Sequence, residues 1–107
     1  MNKIDLDSVA GSGRTRNLSG KERGIAARKQ LKLDAIDAQP GEVLVVVPDY
    51  VDTISPSFFQ GLFSQSIRTL KGKDRFLIKY RFDANDSTQR WIEVGIRNAC
   101  SSRGALI

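Results

Sequence analysis

The chain has 107 residues, of which 40% are hydrophobic and 27% charged, and carries a formal net charge of +5. That suits one domain spanning the whole length, since a chain of this size buries roughly two-thirds of the surface its unfolded form exposes. The absence of histidine and the single cysteine, Cys100, exclude a Ser-His-Asp triad and an internal disulfide, and leave no ordinary zinc ligand set.

Residues 3–9 alternate weakly, with Ile4, Leu6 and Val9 against Lys3, Asp5 and Asp7, as a short first strand does. Residues 10–20, rich in Gly, Ser and Arg, read as a flexible loop. Ser19 and Glu22 fit a capping box, which predicts a helix from there to about Ala38, stopped by Pro40 and Gly41. Gly20, Gly24, Ala27, Leu31, Ala35 and Ala38 give that helix a face of mostly small residues, suited to lying close on a sheet. Residues 43–47 are all apolar and read as a central strand buried on both faces, as in parallel sheets. Pro48, Asp49 and Tyr50 break it.

Ser55 and Pro56 then mark a helix start, serine as cap and proline at the first helical position. Phe59, Leu62, Phe63, Ser66, Ile67 and Leu70 keep the 3.6-residue period until Gly72. At about 1.5–3 kcal/mol for each large apolar side chain buried, this helix is the expected centre of the core. Residues 75–82 alternate, placing Phe76, Ile78, Tyr80 and Phe82 on one side of a third strand. A last helix starts at Asn85, carries Trp91, Ile92, Gly95, Ile96 and Ala99, and ends near Arg103 and Gly104, with a final strand or frayed end after it. The order β-α-β-α-β-α-(β) predicts an α/β fold, an open parallel or mixed sheet with crossover helices.

The charge is uneven. Residues 1–33 hold eight basic side chains against three acidic ones, whereas the remainder holds nine of each. Arg14, Arg16, Lys21, Arg23, Arg28 and Lys29 therefore form a candidate basic patch, able to attract phosphate or an acidic surface. With no evident recognition helix and aromatics that read as core, weak and non-specific nucleic-acid binding at most is expected of it. A phosphate loop does not fit: Thr15 stands where the first glycine of that motif belongs, and Glu22 follows Lys21 in place of Ser or Thr. The dinucleotide fingerprint fails at Arg16. The five-residue apolar run at 43–47 is too short to cross a bilayer, and the opening residues show no apolar signal core. A cytoplasmic protein without cofactor, metal or membrane association is expected.

Two stretches carry a resemblance. Leu18-Ser19-Gly20-Lys21-Glu22 is similar to the Leu-Ser-x-x-Glu opening of the first helix in STAS-like domains, small relatives of anti-sigma factor antagonists. The strand at 43–47, the turn, and the run from Val51 through Ile54, Phe58 and Phe63 resemble that family's strand, Ile-x-x-x-Phe and helix. Gln60 and Gly61 stand where the family usually has an Asp-Glu pair. Pro56 occupies the place of the phosphorylated serine in the antagonists, with Ser55 and Ser57 on either side. The resemblance implies a STAS-like α/β fold and a non-enzymatic regulatory module that binds a protein partner, such as a histidine-kinase-like ATPase or another regulator. The expected contact surface is the helix start with the turn before it: Asp49, Tyr50, Asp52, Thr53, Ser55, Ser57 and Gln60, with Ser57 as a candidate phosphorylation site. The alternative is a small nucleic-acid-associated protein using the basic N-terminal third.

Overall fold

The computed structural model describes residues 2–10 and 16–105, so residues 11–15 of the expected loop at 10–20, Arg14 among them, and Leu106 and Ile107 of the expected final strand lie outside it. The main sheet is parallel, in the order β1 (Asn2–Asp5), β3 (Val43–Val46), β5 (Tyr80–Asp83). Both connections step across the sheet in the same direction. Right-handed crossovers then place the helices of both connections on one face. The burial pattern agrees: Ile4, Val43, Val45 and Tyr80 are buried, whereas Leu44 and Val46, which alternate with them, are only half-buried. The central strand is where expected, but one of its faces is bare, because sequential strand order leaves no helix for the other side.

The first strand is shorter than its alternation suggested. It ends at Asp5, whose carboxylate Oδ1 accepts the Asp7 N–H at 2.9 Å and turns the chain into a four-residue helix, α1 (Asp7–Ala10). A second, two-stranded parallel sheet joins β2 (Asn17–Leu18) to β4 (Thr53–Ile54). The helix after β2 is split into α2 (Lys21–Leu31) and α3 (Leu33–Ala38) by Lys32, which is left-handed at φ 57° and ψ 44°. A straight helix leaves Leu33 and Asp37 off the buried stripe of Gly24, Ala27 and Arg28. The break turns both inward, and Leu33 becomes fully buried. The capping box does not form. Leu18 O accepts the Ser55 N–H at 2.8 Å, which keeps residue 18 extended, and Gly20 at φ 92° caps α2 without a side-chain hydrogen bond.

The small-residue face packs on a helix and not on a sheet, and Gly20, Ala35 and Ala38 are exposed. α2 lies against α4 (Pro56–Thr69) with the two backbones touching. A Cβ built on Gly24 falls 2.2 Å from Phe58 O, and one on Gly61 falls 2.2 Å from Lys21 O. α4 itself follows the sequence closely. Ser55 Oγ accepts the Phe58 N–H at 3.1 Å, Pro56 opens the first turn, and Phe58, Phe59, Leu62, Phe63, Ser66 and Ile67 are buried. Residues 75–79 do not join a strand. They form α5 (Lys73–Lys79), and only Tyr80 onward enters the sheet. Phe76 and Tyr80, four residues apart, satisfy the helical period as well as the alternating one, and their rings stack 5.1 Å apart; Ile78, which the strand would have buried, is 66% exposed. The last helix, α6 (Asp86–Ala105), packs Gly95 against the Phe59 ring, and Asn85 Oδ1 caps it by accepting the Thr88 N–H at 2.8 Å.

Candidate functional site

All three strands of the main sheet are parallel, so their C-terminal ends share one edge, where open α/β sheets present their sites. The chain leaves β3 there through residues 47–52. Val51 is fully buried and anchors the loop, its carbonyl accepting from Asn85 Nδ2 at 3.0 Å and Thr88 Oγ1 at 2.7 Å. Ser87 Oγ donates to Asp52 O at 2.9 Å, so the start of α6 clamps the loop from one side. From the other side Arg16 O accepts the Asp52 N–H at 2.8 Å, and the Arg16 guanidinium lies 3.1 Å from the Asp52 carboxylate. The Tyr50 hydroxyl donates to Asp7 Oδ1, tying the loop to the end of β1. Asp49 is exposed, and its carbonyl accepts from Asn85 Nδ2 at 3.2 Å.

Because β2 and β4 run parallel and each leads directly into a helix, α2 and α4 begin side by side. Two positive dipole ends therefore share one region of the surface. Ser55 is half-buried as the cap of α4; Ser57 is exposed on its first turn, the two hydroxyls 3.0 Å apart. Thr53 lies in β4, and Gln60 is half-buried on the second turn of α4. The expected residues are thus strung along one continuous segment, with Asp49 and Tyr50 at the sheet edge and Ser55 and Ser57 beyond β4. The residues that hold this segment in place, Asp7, Asn85, Ser87 and Thr88, were not among those expected. Asn85 followed by Ser87 and Thr88 signals a helix cap, but nothing local says that their spare hydrogen-bonding groups reach back across more than thirty residues.

Of the expected basic patch, Arg28 is withdrawn from the surface. Arg28 is buried, 7% exposed, and all five of its donor hydrogens have partners. Nε and Nη2 donate to Asp34 Oδ1 at 3.0 and 2.6 Å, Nη1 to Leu62 O at 2.9 Å and Ser66 Oγ at 2.8 Å, and Nη2 to Asp37 Oδ2 at 2.7 Å. Ser66 Oγ and the Tyr80 hydroxyl donate in turn to the two oxygens of Asp37, at 2.7 and 2.5 Å. Burial first, then the hydrogen bond to Asp37 and its negative charge, hold the Tyr80 phenol well above its usual range. Such a saturated guanidinium has no donor left for a phosphate. The signal was Ser66, a hydroxyl inside the apolar stripe of α4 that demands a buried partner. Of the other basic residues, Arg16 pairs with Asp52, and Arg23 lines a cleft with Ser19, Ala26 and Gln30. Lys21 and Lys29 share a cleft of about 650 Å³ between α2 and α4 with Arg68, a residue outside the basic N-terminal third.

Among the described residues no three His, Cys, Asp or Glu side chains are grouped to hold a metal ion, and no helix is long and apolar enough to cross a membrane. The Ser55 and Ser57 hydroxyls have each other and a backbone N–H as partners, with no base among them. No family model, curated protein or solved structure matches the chain.

Proposed function

We propose that this chain is a non-enzymatic, STAS-like regulatory module that binds a protein partner through the loop at 49–53 and the first turn of α4. The observation that carries the reading is the exposed Ser57 hydroxyl on the first turn of α4, beside two adjacent helix starts and following a loop clamped from both sides. The loop is held in one shape, so a partner meets a surface whose ordering cost has already been met in folding. The helix starts favour a carboxylate or phosphoryl group, whereas Asp49 and Asp52 favour a cationic side chain beside it. Phosphorylation of Ser57 adds about two negative charges at that point and shifts the balance. The partner class that the family resemblance implies is a histidine-kinase-like ATPase or another regulator.

The test is titration calorimetry of the protein against the histidine-kinase-like ATPases of its own genome, with Ser57→Asp and Ser55→Ala beside the wild type. Ser57→Asp is expected to change affinity while shifting stability by no more than about 1 kcal/mol, the effect of a carboxylate at a helix start. Ser55→Ala is expected to lower stability by about 1 kcal/mol through the lost cap. If no ATPase binds, or if both variants bind as the wild type does, the reading fails. The second reading, phosphate binding at Lys21, Lys29 and Arg68, rests on their shared cleft. It requires that any nucleic-acid affinity fall steeply with added salt and ignore sequence.

A further inference from the structure

A parallel sheet normally has both faces covered, because its strands are joined by helices that lie on them. Here the burial pattern of the strands puts the helices of the described residues to one side. The outward residues of the main sheet are Lys3, Leu44 and Arg81 in one row across the strands, and Asp5, Val46 and Asp83 in the next, as the strand register places them. The four charged residues are exposed, and Leu44 and Val46, half-buried, stand outside the cluster of apolar residues that forms the core. We infer that this face binds the same face of a second copy of the chain.

The charge pattern is the reason. Each row has an aliphatic residue at its centre and two like charges at its ends, cationic in one row and anionic in the next. The rows are two residues apart along each strand, roughly 7 Å. A two-fold axis that lies in the interface, crosses the strands at right angles and runs midway between the rows exchanges them. Lys3 then faces Asp5 of the other copy, Arg81 faces Asp83, and Leu44 faces Val46, each contact occurring twice. This is the self-complementarity that an isologous interface requires. The opposite stacking, with strands of the two copies pointing the same way, sets like charges against each other, so the pattern selects one orientation. The face carries no net charge, so the chain's excess of +5 does not set it against itself. Arg81 already lies 3.6 Å from Glu42, but both side chains are about half exposed or more, 62% and 46%, leaving the guanidinium able to turn outward.

Three short strands offer less than the roughly 800 Å² per partner of a standard interface, so the association is expected to be weak, with a dissociation constant between about 10 μM and 1 mM. Sedimentation equilibrium at about 0.15 M salt measures it, where charges further apart than about 8 Å are screened and contact pairs are not. Asp83→Arg sets arginine against arginine twice and is expected to weaken the dimer by about tenfold or more. The swap Arg81→Asp with Asp83→Arg restores the pairing with its sign reversed and should return the constant to within about threefold of wild type. The swap Lys3→Asp with Asp5→Lys, which also gives up the Asp5 hydrogen bond to the Asp7 N–H, repeats the test on the other edge, should the first disturb β5, and circular dichroism checks the fold of each. A wild type that stays monomeric at 1 mM overturns the inference. So does equal association of the single variant and the swap, which places any dimer on another surface.

Discussion

Arg28→Ala is the perturbation that most directly separates a buried arginine from a surface one. Its removal leaves Asp37, whose side chain is 2% exposed, as a carboxylate in the core with two neutral donors and no cation. It also takes donors from Leu62 O and Ser66 Oγ. Breaking a buried pair from one side costs about 3–5 kcal/mol, against a total of about 5–15 kcal/mol for a domain of this kind. The exposed Asp34, at 84%, adds little, since water screens that contact. Urea unfolding followed by the half-buried Trp91 measures the loss. Arg28→Lys keeps the charge without the planar fork and should lose part of the stability. Arg28→Met combined with Asp37→Asn should recover about 2 kcal/mol relative to the sum of the single changes, because the amide keeps an acceptor for Tyr80 and carries no charge to strand. A loss below about 1 kcal/mol for Arg28→Ala, with nucleic-acid affinity falling, would return Arg28 to the surface patch and refute the buried network.

Gly61→Ala should destabilise by about 1–3 kcal/mol despite its better helix propensity, because the new methyl meets the backbone at Lys21 O and Ile25 N, and a chemical-denaturation midpoint at or above wild type would contradict the close crossing. Gly24→Ala pushes the same two helices apart at Phe58 O, and once they have parted the second methyl meets less resistance, so the double variant should cost less than the sum. Tyr80 titrates higher folded than unfolded, so its contribution is complete below the unfolded value of about 10 and is lost above it, at up to about 1.4 kcal/mol per pH unit. Tyr80→Phe should abolish that part of the alkaline slope and cost about 1–3 kcal/mol at neutral pH by leaving Asp37 Oδ1 unpartnered; equal slopes for the two proteins would show that the phenol is not held in this way.

What the sequence made legible is what short-range chemistry decides. The start of α4 needs only Ser55 and Pro56, its buried face needs only the spacing from Phe59 to Leu70, and its end needs only Gly72. The run at 43–47 is similarly self-evident. Residues 75–82 were ambiguous because Phe76 and Tyr80 satisfy both periods, and the choice falls to the sheet, which has room beside β3 for four residues and not eight. Lys32 shows the same limit. No rule of propensity asks for a left-handed lysine there; it is fixed by where Leu33 and Asp37 must point. The site divides in the same way. Asp52, Ser55 and Ser57 could be named from local signals, while the Arg28 network and the clamp from Asn85 and Thr88 join residues between six and forty-three positions apart.

One topological choice underlies both the proposed partner surface and the outer face of the sheet. Strands taken in the order β1, β3, β5 with right-handed crossovers put the helices of both connections on one side, and α6 packs against α4 there. On that side the helices must share limited width, and α2 and α4 meet at glycines because two large residues at the crossing would hold them off the sheet. The same packing brings their N-terminal ends together beside the loop at 49–53 and sets Ser57 in a field of two helix starts. On the other side, among the described residues, only the charged residues that flank them in the same rows stand beside Leu44 and Val46. A face left bare for topological reasons must stay soluble in the monomer, and like charges scattered over it would serve that need equally well. Solubility alone gives no reason for the cations to lie in one row and the anions in the next, whereas a two-fold contact does.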